Sequence, residues 1–268
     1  YRMMALGRRA QFNVKDRVLY YPELYMEFEI NFNTDSDGNV GTIKLYNLSD
    51  ATIGLLKKGQ SFVLAAGYKE DVGVILPGVI NKAETAWEET DKITTLVVGD
   101  KIDIWSTATI NQSWRAGISA SEVLKDITKS LPIPIGDLKI TSDLVYSRGK
   151  TFSGLAKKAL QELAADLEMK LHISRGKLYF RPKGEGGRER VILNPDTGLV
   201  ERPQKIEPSD KQDSGDRFQV KSLLNYRIEA DSVIDIQSKV ISGLWRVDKG
   251  KHRSDEWVTE VEVVKNGT

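Results

Sequence analysis

The 268-residue chain has no cysteine. That excludes disulfides and thiolate-held metal. It fits a reducing compartment, and a Cys-free chain is equally compatible with the outside of a cell. Histidine is nearly absent: His172 and His252 are the only two. Two imidazoles so far apart in sequence give poor support to a His-based metal centre or a Ser-His-Asp triad. No apolar run approaches the about 18 residues that a membrane-spanning helix needs. The opening YRMMALGRRA carries arginines with no apolar segment behind them, so it does not read as a signal peptide. A chain that starts at Tyr1 reads instead as the cut end of a longer one. An excess of one charge is lacking too. Lys plus Arg is 39, Asp plus Glu is 38, and the net charge is +1. No bulk field draws the chain to nucleic acid or to an anionic membrane, which leaves only local patches. There is no repeat of fixed period and no low-complexity tract.

What is present is apolar content and alternation. The apolar share is 40%, enough for real cores, and the length suits one large or two to three small domains. Met26, Phe28, Ile30 and Phe32 alternate with Glu27, Glu29 and Asn31, which predicts a half-buried strand. Asp35 to Asn39 reads as a turn and Val40 to Tyr46 as the returning strand. Ser49 caps a short helix through Lys58, closed by Gly59. Phe62–Tyr68, Val72–Lys82 and Ile93–Val98 read as strands, with a bulge or bend at Pro77-Gly78. The middle changes character. Ser119 and Glu122 form a capping box before a helix with Val123, Leu124, Ile127 and Leu131 on one face, stopped by Pro132 and Pro134. Thr151 opens a second helix with the stripe Phe152, Leu155, Ala159, Leu160, Leu163 and Leu167. Leu171 and Ile173 then face Leu178 and Phe180 across the turn Arg175-Gly176. From Val191 strands return at Phe218–Leu224, Ser232–Ser238, Ser242–Asp248 and Glu256–Val264. The polar stretch 201–217 between them reads as a loop or an arm that orders on assembly.

Several short motifs carry a hint of chemistry. Gly149-Lys150-Thr151 resembles the end of a phosphate loop, but the glycine five residues earlier is replaced by Leu144, so the backbone cannot wrap phosphates. Asn33, Asp35, Asp37 and Gly38 match half of a calcium loop, yet the twelfth position is Lys44 where a bidentate glutamate is needed. Gly184 to Gly187 lacks the third glycine of a dinucleotide fingerprint and follows a hairpin, so it reads as a flexible connection. His172 falls on the strand face opposite Leu171 and Ile173, which predicts exposure. Glu27/Glu29 and Glu88/Glu89 are acid pairs, and a glycosidase would need two carboxylates across one cleft; on alternating strands they read as a solvated face. Trp87, Trp105, Trp114, Trp245 and Trp257 read as core or interface residues. No catalytic, cofactor-binding or metal residue is assigned, and no cofactor is expected.

Three stretches carry a family resemblance. The first is TIKLYNLSDATIGLLKKGQSFVLAAGY, residues 42–68: a strand ending in Tyr-Asn-Leu-Ser, a short helix, a glycine and a strand. The second is the helix–hairpin run from Thr151 to Gly184. The third is NPDTGLVERPQKIEP with FQVKSLLNYRI and SGLWRVDKGKHRSDEWVTEVEV, within residues 194–263. With these the chain resembles the baseplate hub proteins of phage tails and tailocins, the late-control-protein-D family. Their order is more specific than any one of them.

The resemblance implies an α+β, mainly β fold: two small tube-like β-barrel domains, 1–107 and 188–268, around an α+β insert, 108–187, on the outside. It implies a homotrimer whose two barrels per subunit make a pseudo-six-fold ring between a hexameric tail tube and a three-fold spike. The expected partners are the tail tube, tape measure, spike and baseplate proteins, with phage DNA passing through the lumen without specific binding. The expected place is the virion tail baseplate, assembled in the host cytoplasm, and the expected role is structural and not enzymatic. A wall- or carbohydrate-binding module, or a hydrolase, of the same particle is the alternative. Because the family commonly carries a spike or lysin extension after its last strand, a separate spike or a removed extension is expected past Thr268. Edge strands of open barrels suit subunit docking by strand addition.

Overall fold

The computed structural model describes residues 7–35, 37–69, 71–100, 103–207 and 215–267. Its first part is a run of antiparallel strands: β1 (Arg8–Val14), β2 (Arg17–Tyr21), β3 (Met26–Asn33), β4 (Val40–Tyr46), then α1 (Asp50–Ile53), β5 (Ser61–Tyr68), β6 (Asp71–Glu88) and β7 (Asp91–Asp100). The alternation in β3 does what it predicts: Met26, Phe28, Ile30 and Phe32 are buried and the residues between them face out. Ser49 caps α1 by accepting from the Thr52 amide, but the helix ends at Gly54, not Gly59. Residues 55–58 turn away so that Leu56 enters the core, and Gly59, at φ +82°, donates to the Ile80 carbonyl. The register of β6 slips on either side of Pro77-Gly78, against β5 and against β7, and not at that pair.

The insert follows: α2 (Asp103–Thr107), β8 (Thr109–Trp114), β9 (Ile118–Ser119), α3 (Ala120–Ser130), β10 (Ile135–Leu138), β11 (Val145–Tyr146), β12 (Lys150–Leu155), α4 (Ala156–Asp166), β13 (Met169–Ser174) and β14 (Lys177–Pro182). The capping box at Ser119 and Glu122 is complete, and Val123, Leu124 and Ile127 are buried. The second helix starts later than its apolar spacing suggests. Residues 150–155 are β12, paired with β8 from Lys150↔Trp114 to Leu155↔Thr109. Phe152 points in and Thr151 and Ser153 point out, so a period of two hides inside a period that also suits a helix. Leu155 becomes the N-cap and is 40% exposed. Leu160 and Leu163 are fully buried, as their face requires. β13 and β14 form a hairpin around Arg175-Gly176, both at positive φ.

The last part comprises β15 (Arg190–Leu193), β16 (Gln204–Ile206), β17 (Arg217–Leu223), β18 (Val233–Gln237), β19 (Ser242–Arg253) and β20 (Val258–Lys265). The polar stretch 201–217 is partly a strand, since β16 pairs with β17; its residues 208–214 lie outside the described residues. The first and last parts join into one 13-stranded sheet, because β3 pairs with β19 from Glu29↔Arg253 to Asn33↔Lys249. Apolar residues cross that joint in both directions. Leu224 and Trp257 lie in the core of the first part, and Phe32 lies in that of the last. The insert has its own core between α3, α4 and the β13–β14 hairpin. The fold is mainly β with an α+β middle.

Candidate functional surface

The hints of chemistry resolve into structure. Gly149, at φ +79°, is a turn glycine whose Cβ would meet the Trp114 carbonyl oxygen at 2.4 Å. Lys150 lies on β12, paired with Glu162 and, at 3.6 Å, with Asp166, its ammonium over the Tyr146 ring. In the half calcium loop the Asn33 side chain accepts from the Asp35 amide at 2.9 Å, and Asp37 is taken by Lys157 at 2.6 Å. Ser36 lies outside the described residues. The connection Gly184–Gly187 is pinned and not loose: Gly184 accepts from Gly267, Gly186 donates to Asn266, and Gly187 donates to the Asp231 carbonyl.

His172 is buried, 1% exposed, against expectation. The hairpin face it lies on does not meet water; it meets the β body. His172 stacks on Tyr179 with ring centroids 5.0 Å apart, and burial pushes its pKa down to about 4. His252 is likewise buried, its Nδ1 2.8 Å from the Thr259 hydroxyl, and burial lowers it to about 3. Both are therefore neutral core rings. Trp105, Trp245 and Trp257 are buried, Trp114 donates to Asp126 at 3.1 Å, and Trp87 at the end of the β6–β7 hairpin is 70% exposed. Among the described residues no group of three or more His, Asp or Glu is placed to hold a metal ion.

The acid pair Glu27/Glu29 lies on a different kind of feature, a broad bare face of the large sheet. Strand register sets its rows. Lys221, Glu260, Lys251 and Asn31 stand side by side on β17, β20, β19 and β3. Gln219, Glu262, Lys249 and Asn33 form the next row. Across the joint, Arg253, Glu29, Thr42, Val97 and Lys82 continue on β19, β3, β4, β7 and β6, and Glu27, Lys44, Thr95 and Glu84 follow. Opposite charges alternate from strand to strand and pair, Lys249–Glu262 at 3.1 Å and Arg253–Glu260 at 2.6 Å, and within β6 Lys82 pairs with Glu84 at 2.6 Å. One concavity of about 390 Å³ on this face is lined by Glu27, Glu29, Thr42, Lys44, Arg253 and Asp255. Such a face offers neither an apolar anchor cluster nor a field of one sign.

The insert meets turns and strand ends of the β body. Its ion pairs and hydrogen bonds reach Asp37, Asn39, Asp100 and residues 226–231, none of them in those rows. The alternation of β3 foretold the exposed glutamates. Their pairing with strand β19, more than 200 positions away, has no local signal.

No family model matches the chain, and no curated protein does. Solved structures match over nearly its whole length. A tail protein from Neisseria meningitidis MC58 is 10% identical, with 97% of each chain covered and a TM-score of 0.67. The 43 kDa tail protein of prophage MuSo2 from Shewanella oneidensis is 8% identical, covering 97% of this chain and 98% of that one, with a TM-score of 0.64. An Escherichia coli component of the type VI secretion system, described as structurally similar to the T4 bacteriophage tail proteins gp27 and gp5, is 8% identical. It covers 96% of this chain and 77% of its own, with a TM-score of 0.62. The chain has the fold of these phage tail and type VI secretion proteins.

Proposed function

We propose that this chain is a structural hub of a phage-like tail tip, a non-enzymatic subunit of a ring around a channel. The β parts 1–107 and 188–268 are its two ring-forming domains, and 108–187, with α2 of the first part packed onto it, is an outward-facing insert. Three copies make a pseudo-six-fold ring at the tail baseplate that adapts the tail tube to the spike and contacts tape measure and baseplate proteins. Phage DNA passes through without being gripped.

One observation carries this reading. A single sheet runs through both β parts and carries a broad, charge-alternating face, while the insert's ion pairs and hydrogen bonds go to turns and strand ends outside it. A channel wall for a polyanion needs breadth, no apolar patch and no unpaired basic field, because excess cations would hold phosphates by counterion release. Among the described residues the β6 edge beyond Ile80 pairs only with β7, which offers residues 81–88 as an edge for a neighbouring subunit. Size-exclusion chromatography with light scattering tests it. The expected result is three copies, visible as rings by electron microscopy. A strict monomer at high concentration would count heavily against the hub, and peptidoglycan hydrolysis abolished by one acidic substitution would sink its non-enzymatic character.

A further inference from the structure

The insert and the β body meet without a shared core. One buried apolar cluster uses only residues between 105 and 180, and the other two use only residues outside that range. Among the described residues no strand of the insert pairs with a strand of the body. What crosses the seam is polar. Asp231, with no exposed side-chain surface, meets Lys170 and, at 2.7 Å, Arg181 of the insert hairpin. Arg246 of β19 stands 3.5 Å away on the body side. Arg181 also holds Asp137 at 3.0 Å within the insert. At the hairpin turn the Gly176 amide donates to Asp100 at 3.0 Å, Ser174 donates to Glu229 at 2.8 Å, and Arg175 pairs with Glu229 at 3.2 Å.

Asp231 is itself held by the body. Its φ is +68°, a conformation that aspartate tolerates better than most residues, and its amide donates to the Val247 carbonyl at 2.9 Å. Three cations thus converge on one carboxylate that the body presents to the insert.

We infer that the insert is a latched arm: a separately folded unit held to the β body by an ionic catch centred on Asp231. It releases from the body as a unit. Opening exposes little apolar surface, so the hydrophobic effect does not oppose it. The charges that part regain water, which offsets much of their lost attraction. Desolvation at the seam pushes the Lys170 ammonium down to about 8. Closing is directional because Lys170 and Arg181 of the insert hairpin must both reach Asp231, beside Arg246 of the body. A hinge between two folded bodies with a directional catch is a two-state element. It stands whether or not the chain forms a ring.

The absence of native cysteine makes the test direct. Spin labels on Lys158→Cys in α4 and Lys239→Cys in the body report the distance across the seam. The unsubstituted seam should give one narrow distance population. Asp231→Asn should add a broad, longer population while circular dichroism and the near-ultraviolet signal of Trp105 and Trp114 stay native. A single unchanged distance in folded Asp231→Asn protein would overturn the latch. Should that variant not fold, hydrogen exchange on the unaltered protein decides. The Gly176 and Gly187 amides, which cross to Asp100 and Asp231, should exchange together at least roughly ten-fold faster than amides in the centres of β13 and β19. Equal protection at the seam and in those strands would overturn it.

Discussion

The molecule has two internal junctions, and they are made differently. Where the first β part meets the last, strands β3 and β19 pair and side chains are exchanged across the joint. Trp257, from the last part, packs on Tyr21 and Phe28 and donates to the Gly67 carbonyl at 3.0 Å. Phe32 travels the other way. Where the insert meets the body, charge and hydrogen bonds do the holding. Proximity in sequence is therefore a poor guide to mechanical unity. Segments more than 150 residues apart are fused, and the stretch between them is only fastened.

The largest effect should come from breaking the fused junction. Trp257→Ala removes a side chain 1% exposed together with its hydrogen bond, and should cost about 3–5 kcal/mol. Denaturant unfolding should then show both β parts lost in one transition at a lower midpoint. Two separated β transitions would break the comparison at its stronger side.

A slightly smaller and confined effect is expected inside the insert. Leu163→Asp buries an unpaired carboxylate in the α3–α4 core at a cost of order 3 kcal/mol or more. Because no apolar cluster crosses the seam, the loss should stay local, with amide protection gone in α3, α4, β13 and β14 and kept in β3, β19 and β20. Loss of protection in those body strands at the same step would show that the seam couples the two units more tightly than its chemistry suggests.

Much of this was legible beforehand, and the failures have physical causes. Alternation found β3 and β4, the capping box found α3, and the buried stripe of α4 was right at Leu160 and Leu163. The start of α4 misled because Phe152 and Leu155 suit both a helix and a strand. His172 misled because a strand's second face is read as solvated unless something covers it, and what covers it here is the seam. The order of three weak motifs pointed to tail proteins, and the fold agrees with them. The bare face could not be read from sequence. Its glutamates alternate as any exposed strand does, and only the register between β3, β19 and β20 shows that their charges cancel.

A smaller, pH-dependent effect separates the junctions again. His172 and His252 have folded pKa values near 4 and 3, below the usual 6.5. Each contributes stability present above pH 6.5 and lost as pH falls towards the folded value, of order 3 kcal/mol by linkage. Asp100 at the seam runs the opposite way. Burial raises it to about 6, so its contribution is present below 3.8 and lost as pH rises through 6. Between pH 6.5 and 4 the seam's two groups oppose each other while His252 in the body acts alone. Urea midpoints for the body should therefore fall over that range, with insert docking nearly flat. His172→Gln should leave Asp100 unopposed and make docking tighten as pH drops; docking that weakens instead would refute the assignment.

The smallest effect on stability belongs to the bare face. Replacing Glu29, Glu260 and Glu262 by Gln breaks the partly exposed pairs of Glu260 and Glu262, each worth about 0–1 kcal/mol, so the fold should barely notice. The face itself changes sign. Lys249, Lys251 and Arg253 lose their neighbours' charge, and in the proposed ring several copies of that basic stripe would surround one channel. Duplex DNA should then bind measurably, with affinity falling steeply as salt rises, while the parent protein shows little binding. A control with Glu23, Glu89 and Glu168 changed to Gln alters net charge equally away from the face and should not bind. If both triple variants bind alike, net charge alone is responsible and the face is not a channel wall. If only the face variant binds, the carboxylates there are what keep a polyanion moving.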